Sequence, residues 1–284
     1  MTRTLQMLFV LPLLLCLGNP AWARKPVGGA AGGTVTINKV MPRLGLIRMT
    51  SDETSMGFTL TEKGQTLTMK VNQSKKKSEK LLALKGSIAT KLEVTFQKVA
   101  KVEVMNSKTL KPPSPLEGKT YVVEVRSGQL LVTKADGKPV TAEEQELVAS
   151  EYKTLGKPNF MLDGLPVGPV RIGARIPSME EALKKSFTLS MGGKPGEKWQ
   201  IDNASVTLSG KGRVDGAAVA LMDFGMAMTV TQQTGFTMTM HMKGTVTVRL
   251  ADGWPIRLSM KGPLDIMGQK NAGIMTMNQK TQYK

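Results

Sequence analysis

From Met222 to Ile266 apolar and polar residues alternate. Met222, Phe224, Met226, Met228, Val230, Phe236, Met238, Met240, Met242, Val246, Val248, Leu250, Trp254, Ile256, Leu258, Met260, Leu264 and Ile266 hold even positions. Thr recurs at the odd positions (Thr229, Thr231, Thr237, Thr239, Thr245 and Thr247), with Asp223, His241, Lys243, Arg249, Arg257, Lys261 and Asp265. A period of two over this length predicts strands with one buried and one wet face. Two breaks, Gln233-Thr234-Gly235 and Ala251-Asp252-Gly253, read as three-residue hairpin loops ending in Gly, the residue that takes positive φ without steric cost. Odd loops keep even residues opposite even residues. The expected pairs are Val230 with Met238, Met228 with Met240, Phe224 with Gly244, and Met242 with Gly262. In the next hairpin they are Gly244 with Met260, Val246 with Leu258, Val248 with Ile256 and Leu250 with Trp254.

Phe236 to Leu250 is one run, roughly 50 Å if fully extended. Strands this long coil or close. Gly244 and Gly262 on the apolar face read as bends, with Phe224 covering the exposed backbone. The expected fold is therefore mainly β, a β-rich α+β chain. A strongly curved antiparallel sheet forms a half-open or closed barrel, with two short helices inserted mid-chain.

The helices come from the capping signatures. Thr141-Ala-Glu-Glu144 opens a helix carrying Leu147, Val148, Tyr152 and Leu155, about 142–155. Ser178-Met-Glu-Glu181 opens a second with Met179, Leu183 and Phe187, about 179–187. Met161 to Pro177 reads as an extended connector. Upstream, Gln65 to Val71 and Leu92 to Val104 alternate as strands. Ser74 to Lys80, with Lys75, Lys76 and Lys77, reads as a solvated charged loop and a candidate anion contact.

Residues 1–23 carry Arg3, a Leu-rich run from Met7 to Leu17, and Ala21-Trp22-Ala23, which is the pattern of a cleaved signal peptide. The run is too short to span a bilayer. Cys16 follows Leu15, which is not small, so lipoprotein anchoring there is disfavoured. Residues 24–33 read as a flexible leader and 34–284 as one β-rich domain. The expected location is periplasmic or extracellular.

The net charge of +17 reads either as a means of solubility or as attraction to anionic surfaces such as membrane or envelope polymer. At 5% aromatic residues the chain lacks the stacking platforms of single-strand binders, which argues against nucleic acid. Cysteine and histidine each occur once, so neither a Ser-His-Asp set nor a His/Cys metal site is assembled. No catalytic residue, metal or cofactor is expected, and the reading is non-enzymatic. His241, on the wet face, reads as exposed.

Gly118-Lys-Thr-Tyr121, Asp136-Gly137, Thr141 to Glu144 and Leu155-Gly-Lys-Pro158 resemble segments of uncharacterised exported bacterial families. A curled sheet with helices in its mouth, behind a cleaved signal, is similar in architecture to the LolA-type lipoprotein-carrier fold. That resemblance implies acyl chains held in the concave face and carries no residue over by position. The candidate ligand face is Phe224, Met226, Met228, Met238, Met240, Met242 and Met260, because Met adapts to irregular apolar partners. A Met-rich core packed by other strands and the helices is the competing reading of those residues. The functional expectation is a protein that binds a lipid or other hydrophobic ligand. The alternative is a structural or interaction module of the envelope that contacts anionic membrane or polymer.

Overall fold

A computed structural model describes residues 32–62, 64–191 and 196–284. The segment 1–23, Cys16 and leader residues 24–31 lie outside them. The strands of the first half are β1 (Thr34–Thr36), β2 (Ile47–Glu62), β3 (Gln65–Lys85), β4 (Ile88–Met105), β5 (Lys108–Leu110), β6 (Thr120–Arg126) and β7 (Gln129–Lys134). Then come α1 (Ala142–Glu151), α2 (Phe160–Asp163), β8 (Pro169–Arg171) and α3 (Pro177–Met191). The second half is β9 (Glu197–Val214), β10 (Ala217–Gln232), β11 (Thr237–Arg249), β12 (Pro255–Ile266) and β13 (Gln269–Tyr283).

One 11-stranded antiparallel sheet gathers all strands but β1 and β8, in the order β7-β6-β4-β3-β2-β13-β12-β11-β10-β9, with β5 paired to β4. It is two meanders, one from each half of the chain, joined where β13 pairs β2. The strands β7 and β9 end the sheet and do not pair with each other, so the sheet is open and the closed-barrel expectation is corrected. The helical connection leads from one edge to the other. Residues 173–176 run along β9, with Gly173 N–H donating to Leu208 O and Ile176 N–H to Val206 O. They shield part of an edge that would otherwise offer unpaired backbone.

The parity of the second meander holds. Val230 pairs Met238, Met228 pairs Met240 and Phe224 pairs Gly244. Gly244 pairs Met260 and Val246 pairs Leu258. Every even apolar position from Met222 to Ile266 is buried or half-buried. The second loop differs from expectation. Arg249 N–H donates to Trp254 O, which closes a four-residue connection. The register then shifts, because Thr247 pairs Arg257 whereas Val248 pairs Pro255, not Ile256. The even-length loop would invert the face of β12; the extra residue at Ile256 restores it.

Gly244, Gly262 and Gly273 lie on the inward face of β11, β12 and β13. Each is displaced two residues from the position directly across, because Gly244 pairs Met260, Gly262 pairs Met275 and Gly273 pairs Phe58 and lies beside Leu264. A Cβ at Gly262 would strike the His241 carbonyl, one at Gly273 the Gly57 carbonyl, and one at Gly244 would sit 2.8 Å from Phe224 Cζ. Neighbouring backbone fills the space of the missing side chains. The three form a diagonal crease, the device by which a long sheet bends.

Three helices, not two, are present among the described residues. Thr141 and Glu144 form the expected capping box of α1, which stops at Glu151 rather than Leu155. The helix α2, capped by the Asn159 side chain, falls in the stretch expected to be extended. The helix α3 begins at Pro177, which is tolerated in a first turn, so Ser178 lies inside it instead of capping it. Leu162, Met179 and Leu183 from these helices pack with the apolar faces of β9–β13. Val148, Tyr152 and Leu155 pack with Val94, Phe96, Tyr121, Val123 and Val132 in a second cluster over β4, β6 and β7.

Candidate functional site

The two apolar clusters are separated by a polar seam that the sequence hid. Residues 74–80 are not a loop; they are the middle of the 21-residue strand β3. Alternation sends Val71, Lys75, Lys77, Glu79 and Leu81 inward, and leaves Lys76 and Lys80 exposed on the outer face. Across the sheet Asp52 pairs Lys75, Thr50 pairs Lys77 and Arg48 pairs Glu79. Asp52, Thr50, Lys75, Lys77 and Glu79 are all buried.

The end of α1 sits on this seam. Glu151 takes an ion pair from Lys75 and a second from Lys77 Nζ at 3.0 Å. Lys77 Nζ also lies 3.1 Å from Glu79 and 4.9 Å from the centre of the Tyr152 ring. The Tyr152 hydroxyl donates to Glu79 Oε1 at 2.7 Å, and Arg48 Nε donates to Glu79 Oε2 at 2.5 Å. Burial pushes the Glu79 carboxyl upward. The charges of Arg48 and Lys77, with hydrogen bonds from Arg48 and Tyr152, outweigh it and hold Glu79 well below the ordinary glutamate range. Glu151 behaves alike: burial raises it, and Lys77 and Lys75 bring it below its ordinary value. Burial, reinforced by Glu79, raises the Tyr152 phenol, which therefore stays a donor. Tyr283, across from Arg48 on β13, is pushed up to about 12 by burial. Lys75, Lys77, Glu79 and Glu151 thus each meet an opposite charge, the condition under which burial is tolerated.

A cavity of about 410 Å³ lies against this cluster. Arg48, Lys77, Glu79, Glu151 and Tyr152 form its polar side. Its apolar walls come from Leu46, Leu81 and Leu92, from Leu155, Leu162 and Leu165, and from Val246, Val248 and Trp254. The exposed residues Thr154, Lys157, Pro158 and Asn159 form a rim on the helical side. The volume falls within the range of small-molecule sites, which combine apolar walls with a few fixed polar groups.

The sequence candidates divide around this site. Phe224, Met226, Met228, Met238, Met240, Met242 and Met260 are at most 5% exposed and belong to the large core cluster; none lines the cavity. Lys77 lines it, and Lys75 lies beside it with Glu151 as its anion. His241 meets Asp265 at 2.9 Å, with its side chain 48% exposed. Arg48, Glu79, Glu151 and Tyr152 were missed. One signal existed: Glu151 ends a helix with no basic residue in its last turn, where a carboxylate opposes the helix dipole and needs a cation from elsewhere. A separate group, Glu144 with Lys119 at 2.6 Å, Lys134 at 3.0 Å and the Tyr121 hydroxyl at 3.0 Å, pins the start of α1 to β6 and β7. Among the described residues no group of three or more His, Cys, Asp or Glu is placed to hold a metal ion. No helix among them is long and apolar enough to cross a membrane.

No family model matches the chain, and no curated protein matches it. Three solved structures are similar to it at low scores. One is lipovitellin, from a study of lipid–protein interactions, at 6% identity and TM-score 0.38, over 85% of this chain and 25% of that one. A second is DynF from the dynemicin biosynthesis pathway of Micromonospora chersina, at 9% and 0.19, over 93% and 92%. The third is a DUF1329 family protein from Desulfovibrio piger, at 10% and 0.19, over 85% and 86%. The chain spans a quarter of the lipovitellin chain it matches. Likeness at these scores carries no argument about function, and it does not confirm the LolA-type resemblance.

Proposed function

We propose that this protein binds a hydrophobic or amphiphilic small molecule, a lipid in the simplest case, in the cavity between the sheet and the helices. The observation that carries the reading is the coincidence of a 410 Å³ apolar-walled space with a fixed ionic patch on one side. The apolar walls take the tail. The polar head lies toward Arg48 and Lys77, whose charges are already oriented by Glu79 and Glu151. The binding face is therefore not the Met-rich surface, which the helices and strands already fill, but the adjoining space over the seam. The activity is binding rather than catalysis. The signal-like pattern of residues 1–23 supports an exported location for this binding role.

Native mass spectrometry of the purified protein, followed by titration with a fluorescent fatty acid, tests this. A co-purifying lipid, or uptake at one per chain, is the expected result. Ser186→Phe and Ala89→Phe place bulk on the cavity lining and should abolish uptake while the fold survives, as read by circular dichroism. Absence of bound lipid together with absence of uptake overturns the proposal and leaves the structural envelope module as the better reading. Uptake unchanged in both filled variants also overturns it, because the ligand then sits elsewhere.

A further inference from the structure

Among the described residues, exposed large apolar side chains cluster most closely in the connection from β1 to β2. Val40 is 45% exposed, Met41 48% and Leu44 61%, all within five residues. Such a cluster is normally removed from a soluble surface unless it meets a partner. The segment is also held in place. Val40 N–H donates to Asp252 O at 3.0 Å, and the Trp254 indole N–H donates to Val40 O at 2.8 Å. On the other side Gly45 N–H donates to Leu81 O at 2.9 Å. A backbone fixed at both ends that still presents apolar side chains outward forms a rigid lip.

Two further observations say what the lip meets. Pro42 and Leu46, from the same segment, line the cavity, so the lip stands at its mouth. Exposed cations flank it: Lys39 and Arg43 within the segment, and Arg48 and Lys157 on the cavity lining beside it. Of the nearby acids, Glu79, Glu151 and Asp252 are ion-paired with Arg48 and Lys77, with Lys75 and Lys77, and with Arg249, while exposed Asp163 offers its backbone carbonyl to Lys39 Nζ at 2.9 Å. Apolar side chains ringed by cations match the boundary between acyl chains and anionic headgroups. We infer that residues 39–46 dock the protein on an anionic bilayer, Val40, Met41 and Leu44 entering the acyl region while Lys39 and Arg43 contact headgroups. Docking there brings the cavity mouth to the lipid. This rests on the ligand-binding reading and adds where that ligand enters.

Co-flotation of the full chain with phosphatidylcholine vesicles, with and without phosphatidylglycerol, tests the inference. Binding should require phosphatidylglycerol and fall as salt shortens the screening length. Lys39→Ser with Arg43→Ser should weaken it on the order of tenfold or more at low salt. Met41→Ser with Leu44→Ser should weaken it about tenfold. A Leu44→Trp reporter should shift its emission to the blue on binding. Uptake of a fluorescent fatty acid delivered without vesicles should be unchanged in both double variants, since Lys39, Met41, Arg43 and Leu44 do not line the cavity. Vesicle affinity unchanged in both double variants overturns the docking site and leaves the cavity reading intact. Equal binding to vesicles without phosphatidylglycerol overturns the role of Lys39 and Arg43. Vesicle binding through the lip without any fatty-acid uptake sinks the cavity reading and leaves the docking surface standing.

Discussion

The two meanders present the same inward surface and fill it in opposite ways. In β10–β12 it is Met, Val, Leu and Ile, packed closed by α3 and the strands around it. In β2 and β3 the same surface changes midway: Met56, Phe58, Met69 and Val71 give way to Asp52, Thr50, Lys75, Lys77 and Glu79. The apolar half tolerates imprecision, since hydrophobic burial is non-directional and one large side chain substitutes for another. The ionic half does not, because a buried charge depends on one named partner at one distance. A packed half with an ionic half beside it leaves a space that is greasy on one side and charged on the other. That difference locates the cavity.

Removing one partner should separate the halves most sharply. Glu79→Ala leaves Lys77 and the Tyr152 hydroxyl facing a void, and a broken buried pair costs about 3–5 kcal/mol. Urea unfolding measures it. The folded protein holds Glu79 and Glu151 below their ordinary values, so their contribution is fully present above pH about 4.5 and is lost as pH falls through the lowered folded values. The unfolding midpoint should be level from neutrality down to that pH and then decline, less steeply in Glu79→Gln.

The crease comes next. Gly262→Ala sets a methyl against the His241 carbonyl and should destabilise by about 1–3 kcal/mol. Gly57→Ala, whose added methyl would find nothing nearer than 3.8 Å, should be close to neutral. Thermal melts of the two variants check whether the crease or glycine content in general matters. The smallest effect is expected in the Met-rich face: Met240→Leu keeps volume and should cost less than about 1.5 kcal/mol. A loss there as large as that of Glu79→Ala would erase the distinction between the halves.

The alternation from Met222 to Ile266 was enough to read the strands, their inward face and most of their register, because side-chain direction in a strand is a local property of parity. The capping box at Thr141 was legible for the same reason, since its partners lie three residues apart. The lysine run misled because seven residues rich in charge are usually solvated. Its own parity placed Lys75 and Lys77 in line with Val71 and Leu81, but nothing nearby said that the interior could accept charge. Pro177, just before the Ser178 signature, is the true start of α3, which the signature concealed, and the short α2 had too few residues to show a period.

Local chemistry along the chain therefore settled which segments extend and which way each residue points. Assembly settled the rest: that β13 closes onto β2, that the sheet stays open, and that Glu151 descends on two lysines 74 and 76 residues away. A strand fixes the direction of its own side chains, whereas the free energy of a buried charge depends on what the rest of the chain brings to it.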